Sequence, residues 1–171
     1  MSLLASLFPR RDDRAPLRPL YAALVAQARA EHWYETGEVA DTIDGRFDMV
    51  AAMLSLVILR MEALGLQGES ARLTEIFVED MDGQVRQIGF GDLVVGKQIG
   101  RMMSALGGRL TAYRAGLAGT APLGEAIVRN IYRGEAPEPA ALAHLEAGLR
   151  AFAARLEALS AEDLLAGRIG P

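Results

Sequence analysis

Residues 41–65 read DTIDGRFDMVAAMLSLVILRMEALG, and the distribution of charge along them decides the fold. Asp41, Asp44, Arg46 and Asp48 precede a run from Met49 to Leu59 that carries no charge at all, and Arg60 and Glu62 close it. Asp41 or Thr42 is suited to cap a helix here. Asp44 and Asp48 fall in or near its first turns, where the positive end of the macrodipole favours carboxylates. Gly65 suits the C-terminal cap. The uncharged run is too short to cross a bilayer, which takes ~20 residues. It therefore predicts a central helix buried by other helices.

Composition agrees with that picture. The 171 residues are 51% hydrophobic and 23% charged, with aromatics at only 6%, a balance rich in Ala and Leu that favours one all-α domain. A net charge of −4 argues against generic nucleic-acid binding, which needs a basic face. Lys97 is the one lysine among 18 basic residues, a preference for arginine that reads as codon bias. Without cysteine the chain has no disulfide, thiolate metal ligand or thiol nucleophile, which permits a reducing cytosolic location.

Upstream, SLLASLF at residues 2–8 is followed by Arg10, Arg11, Arg14 and Arg18. A secretory signal would place its charge before a longer apolar core. Residues 1–18 are expected either to fray or to rest on an anionic membrane surface, and residues 19–171 to form the helical domain. Pro19 opens a helix reaching about Glu31, with Leu20, Leu24 and Ala28 inward. Trp33 and Tyr34 are expected to plug the bundle end, and His32 to be structural.

Downstream, a helix from about Ser70 carries Leu73, Ile76, Phe77, Met81, Val85 and Ile88 as its apolar stripe. Asp82 and Arg86 lie one turn apart and can pair. The turn IGFGD ends in Asp92, the expected N-cap of a helix over about 93–118 with Leu106, Leu110, Tyr113 and Leu117 inward. On that helix Gly96, Gly100, Met103 and Gly107 share one face, a shallow groove. Each interior glycine costs about 1 kcal/mol relative to alanine, so the strip implies close approach. Either a neighbouring helix of the chain or a partner's apolar helix would fill it. Lys97 and Arg101, one turn apart, can reach Asp44, Asp48 or the carboxylates at 79–82. A short helix over 122–132, a linker over 134–139 and a helix over 139–159 follow. Ser160 can cap a last turn, and the bundle has about six helices in all.

Catalytic chemistry finds little support. Asp80, Asp82 and Gly83 lack the remaining ligands of a calcium loop, and no His accompanies the carboxylates as a di-iron bundle requires. Gly96 and Lys97 lack the spacing of a P-loop. His144 has no catalytic companion in the sequence. No metal, cofactor or catalytic residue is expected. The competing readings are an oligomeric helical module and a metal-dependent enzyme built on the carboxylates.

The segments DTIDGRFDM (41–49), LVILR (56–60), FVEDMDGQVRQIGFGDLVVGK (77–97), GGR (107–109) and AY (112–113), in that order, resemble the ubiquinol-cytochrome c chaperone family over about residues 20–135. The chain departs from that pattern at Met53, where many relatives carry histidine, at Gln87, where glutamate is usual, and at Leu106, which replaces part of an aromatic-containing pair. The segment beyond Gly134 carries none of the resemblance.

The resemblance implies an all-helical, non-enzymatic chaperone for assembly of the cytochrome bc1 complex. Such a protein would act on newly made cytochrome b at the cytoplasmic face of a bacterial inner membrane. A ribosome and a small partner subunit are further possible partners. The resemblance, joined to the glycine strip, places partner binding at two sets of residues. Gly96, Gly100, Met103 and Gly107 would form an apolar groove, and Asp41, Asp44, Asp80 and Asp82 its acidic rim. Gly45, Arg46, Asp48, Arg86 and Asp92 belong to the same motifs. Lys97, Arg101 and Arg109 would brace the carboxylates or touch ribosomal RNA.

Overall fold

The computed structural model describes residues 12–87 and 92–170, with side chains described at all of these except 84–87, 92–99 and 101–103. Among the described residues there is no strand. After a 3-10 turn at Ala15–Leu17 come α1 (Arg18–Ala28), α2 (His32–Glu35), α3 (Ile43–Ala63) and α4 (Gln67–Gln87). These are followed by α5 (Asp92–Leu117), α6 (Leu123–Asn130), α7 (Pro139–Ala158) and α8 (Ala161–Leu165). Six of these span two turns or more, matching the expected number, and α2 and α8 are one-turn additions.

The central helix is α3, which packs against α1, α4, α5 and α7. Every residue from Asp48 to Ile58 is buried, so the uncharged run is enclosed on all sides. Thr42, rather than Asp41, is its cap: the Thr42 hydroxyl accepts from the Gly45 N–H at 3.1 Å. Gly65 ends the helix with φ of +75°, a backbone that glycine adopts without a Cβ penalty. The Leu66 carbonyl then accepts from the Ser70 N–H, so α4 starts at Gln67, three residues before its expected start.

Close approach is concentrated at a few places. A Cβ on Gly116 would meet Leu123 atoms at 2.8–3.0 Å, which sets α5 against α6. The Trp33 indole donates to the Gln27 carbonyl at 2.8 Å, and a Cβ on Gly148 would meet its ring at 2.5 Å, so Trp33 wedges α2 against α7. α6 stops at Asn130 because Arg133 and Gly134, with φ of +56° and +94°, turn the chain away. Ser160 caps α8 by accepting from the Asp163 N–H at 3.1 Å.

Met53 and Leu106 are both buried in the core, Met53 completely. The two positions expected to depart from the pattern of the resembled family are therefore internal packing positions. Gln87's side chain lies outside the described residues.

Candidate functional site

The motif at the start of α3 folds into an internal charge network. Asp48 lies one turn inside the helix on its buried face, with 1% of its surface exposed. One of its oxygens accepts from Arg109 of α5, and the other accepts from Arg133 Nε at 2.8 Å. Arg133 reaches on to Asp44 at 2.8 Å, and Arg109 also donates to the Asn130 carbonyl at 3.1 Å. The Phe47 ring lies 5.4 Å from the Arg109 guanidinium, a cation–π distance. Two carboxylates and two guanidiniums thus tie α3, α5 and the segment after α6 together.

Burial raises the Asp48 carboxyl above its ordinary value, against the pull of Arg133 and Arg109. Removing a carboxylate from water is costly, and the two guanidiniums offset that cost by satisfying both oxygens. Three donors close to this network, Arg109 Nε, the Tyr113 hydroxyl and Asn130 Nδ2, are buried without a hydrogen-bond partner among the described residues. Burial drives the Tyr113 phenol well above its usual range, so it stays protonated.

Asp48 and Arg109, both named as partner-binding residues, are buried and bonded to each other, so Arg109 takes the carboxylate-bracing alternative given for it. Gly45 is buried too, because a Cβ there would sit 2.0 Å from the Ala40 carbonyl oxygen. Arg133 was not foreseen. It lies 85 residues from Asp48 in a segment that reads as linker, and no spacing rule joins them.

The expected acidic rim is divided among separate concavities. Asp41 pairs with Arg46 at 2.6 Å in a groove shared with Tyr34, and Asp44 lines another with Arg133. Asp82 lines a third beside Arg14 and Glu79. Asp80 accepts from the Tyr21 hydroxyl at 2.7 Å. The side chains of Arg86, Asp92, Lys97, Arg101 and Met103, and the surroundings of Gly96, lie outside the described residues, as do residues 1–11.

The glycine strip on α5 is open where it is described. A Cβ added at Gly100, Gly107 or Gly108 would meet nothing within 4 Å among the described residues, so none of the described helices fills the strip there. Gly100, Ser104, Ala105, Gly107, Gly108 and Thr111 are all exposed and small, and Arg114, two turns beyond Gly107, is exposed and pairs with Glu62. A close approach does occur at Gly116, the penultimate residue of α5, against Leu123.

His32, expected to be structural, and His144, expected to have no catalytic companion, meet in space. His32 Nδ1 lies 2.9 Å from His144 Nε2, joining α2 to α7. Burial, then repulsion from His144, holds His32 below its ordinary imidazole value. Among the described residues no three His, Cys, Asp or Glu side chains are grouped to hold a metal ion.

This geometry defines a class: an all-α bundle in which ion pairs around the buried Asp48 and Arg109 fix a long helix that exposes small residues between Gly100 and Thr111. Residues 35–170 match the model of the ubiquinol-cytochrome C chaperone family, and the chain belongs to that family. The match extends through α7 and α8, so the segment beyond Gly134 is part of the family domain, contrary to the sequence expectation. The crystal structure of the Cbp3 homolog from Brucella abortus is similar, with a TM-score of 0.79 and 29% identity over 92% of this chain and 88% of that one. No curated protein matches the chain. Family and fold together make it a non-enzymatic assembly factor for ubiquinol-cytochrome c reductase, the cytochrome bc1 complex. No helix among the described residues is long and apolar enough to cross a membrane.

Proposed function

We propose that the chain holds newly made cytochrome b during bc1 assembly, at the cytoplasmic face of the inner membrane, with the exposed face of α5 as the holding surface. The observation that carries this reading is the open space over Gly100, Gly107 and Gly108, on a stretch of α5 where the described exposed residues from Gly100 to Thr111 are all small. Small residues at helical spacing let two backbones approach closely, which is how membrane helices pack when no hydrophobic drive separates them from lipid. Family membership supplies the complex being assembled. In the same reading, residues 2–18 meet anionic lipid, and Lys97 and Arg101 brace the carboxylates or touch ribosomal RNA.

The test is Gly107→Leu. An isobutyl group fits the open space without disturbing the fold but obstructs a helix laid on α5. Circular dichroism is expected to match the native protein while assembled bc1 falls. Cross-linking from a photoreactive residue at Gly107 in cells is expected to capture cytochrome b. Normal assembly by a folded Gly107→Leu protein would sink the proposal.

A further inference from the structure

One face of α4 carries a concavity of about 690 Å³. Ala71, Thr74, Glu75, Val78 and Glu79 line it at the three- and four-residue spacing of a helix face, and Arg14, from the chain ahead of α1, closes it on the other side. Val78 is half-buried against the core, and the Thr74 hydroxyl is engaged by the Ser70 carbonyl at 2.9 Å. Val78, Ala71 and the Thr74 methyl therefore give the groove an apolar part.

The chain ahead of α1 is already fastened along this edge of α4. The 3-10 turn packs on α4 and buries Leu17. Arg14 and Arg18 both reach Glu79 at 3.6 Å, and both also pair with Asp12 at 3.1 Å. Those four charges balance one another. Glu75, which forms no ion pair among the described residues, is left lining the groove.

Residues 2–11, SLLASLFPRR, lie immediately upstream of this attachment and outside the described residues. Their chemistry complements the groove: Leu3, Leu4, Leu7 and Phe8 are apolar, Arg10 and Arg11 are cationic, and no acid stands among them. Ten residues can extend ~33 Å, while the stretch of α4 from Ala71 to Glu79 is only ~12 Å long, so reach is sufficient. A segment tethered at the groove's edge has a local concentration of about millimolar, so a contact too weak to hold a separate partner still fills the groove. We infer that the α4 groove receives residues 2–11 of the same chain, with apolar side chains against Ala71, Thr74 and Val78 and arginine against Glu75. Occupancy of this groove is independent of the holding surface on α5. The apolar residues that fill it are those that would enter lipid, so α4 and a membrane compete for them.

Trypsin reads this contact on the native chain, with mass spectrometry following cleavage after Arg10 and Arg11. In solution without lipid, that cleavage is expected to be about fivefold or more slower than in Glu75→Arg, which reverses the groove's charge. Because the sequence has no cysteine, a nitroxide on Ser6→Cys reports on the same segment in the full-length protein. Its spectrum is expected to contain a slow-motion component that Ala71→Arg, by filling the groove, converts largely to sharp lines. Positions 71 and 75 are both exposed on α4, and circular dichroism checks that each variant is folded. Dilution by about tenfold is expected to leave the spectrum unchanged, as an intramolecular contact requires. Equal cleavage of the native and Glu75→Arg proteins, a slow component unaltered in the folded Ala71→Arg protein, or one lost on dilution would each overturn the inference.

Discussion

Arg109 of α5 and Asp48 of α3, 61 residues apart, form an ion pair in which the residues expose only 8% and 1% of their surfaces. A pair this deep gives modest net stability, because desolvation offsets most of its attraction, yet breaking it is expensive. Asp48→Asn would leave Arg109 and Arg133 without the charge they surround. We expect a loss of about 3–5 kcal/mol, read as a lowered urea midpoint. Arg133 is exposed over about half its side chain, so Arg133→Gln should cost distinctly less. Equal losses for the two variants would show that burial does not set the energy of this network.

Glycines that look alike in the sequence are expected to respond oppositely to alanine. At Gly45 the new Cβ would press on the Ala40 carbonyl, which is backbone and cannot move aside. Gly45→Ala should destabilise by about 2 kcal/mol or more. At Gly107 the space is open and the residue is helical, so Gly107→Ala should stabilise by about 0.5–1 kcal/mol through propensity alone. Thermal melts of the two single variants check the signs. A destabilised Gly107→Ala protein would mean that the α5 face is filled.

The contrast between these glycines shows what was legible in the chain. Local signals were read well: the uncharged run became the central helix, Pro19 lies in the first turn of α1, and Ser160 caps α8. Contacts between distant segments were not read, because nothing in spacing encodes them. Arg133 follows a helix end and looks like linker chemistry until the fold carries it to Asp48. Asp48 itself reads as a surface carboxylate near a helix start, and only the packing of α5 against α3 buries it. Gly116 and Gly107 differ only in whether Leu123 or solvent stands opposite.

Trp33 shows how much of the α2–α7 junction depends on one side chain. It is buried, its N–H is satisfied by the Gln27 carbonyl, and Gly148 leaves room for its ring. Trp33→Ala should cost about 3–5 kcal/mol, since the cavity lies between elements that are held apart by other contacts. Gly148→Ala should also destabilise, because its Cβ would meet ring atoms at 2.5 Å. Combining the two should cost less than the sum, as the methyl then enters space the ring has vacated. Additive losses in a double-mutant cycle would argue against direct wedging.

The histidine pair at that junction makes stability depend on pH with a definite sign. His32 Nδ1 and His144 Nε2 are 2.9 Å apart, a contact in which one nitrogen donates and the other must keep its lone pair. Protonating both removes the acceptor. Burial, followed by repulsion from His144, holds His32 below its ordinary value, so the unfolded chain binds that proton more readily than the folded one. The stabilisation is then present above about pH 6.5 and is lost as pH falls toward and through the lowered value. Melting points measured from pH 7.5 to 5 should therefore drop more for the native protein than for His32→Gln, which lacks the titrating ring. Carboxylates contribute the same background to both proteins, so parallel curves would show that the pair does not govern the acid limb.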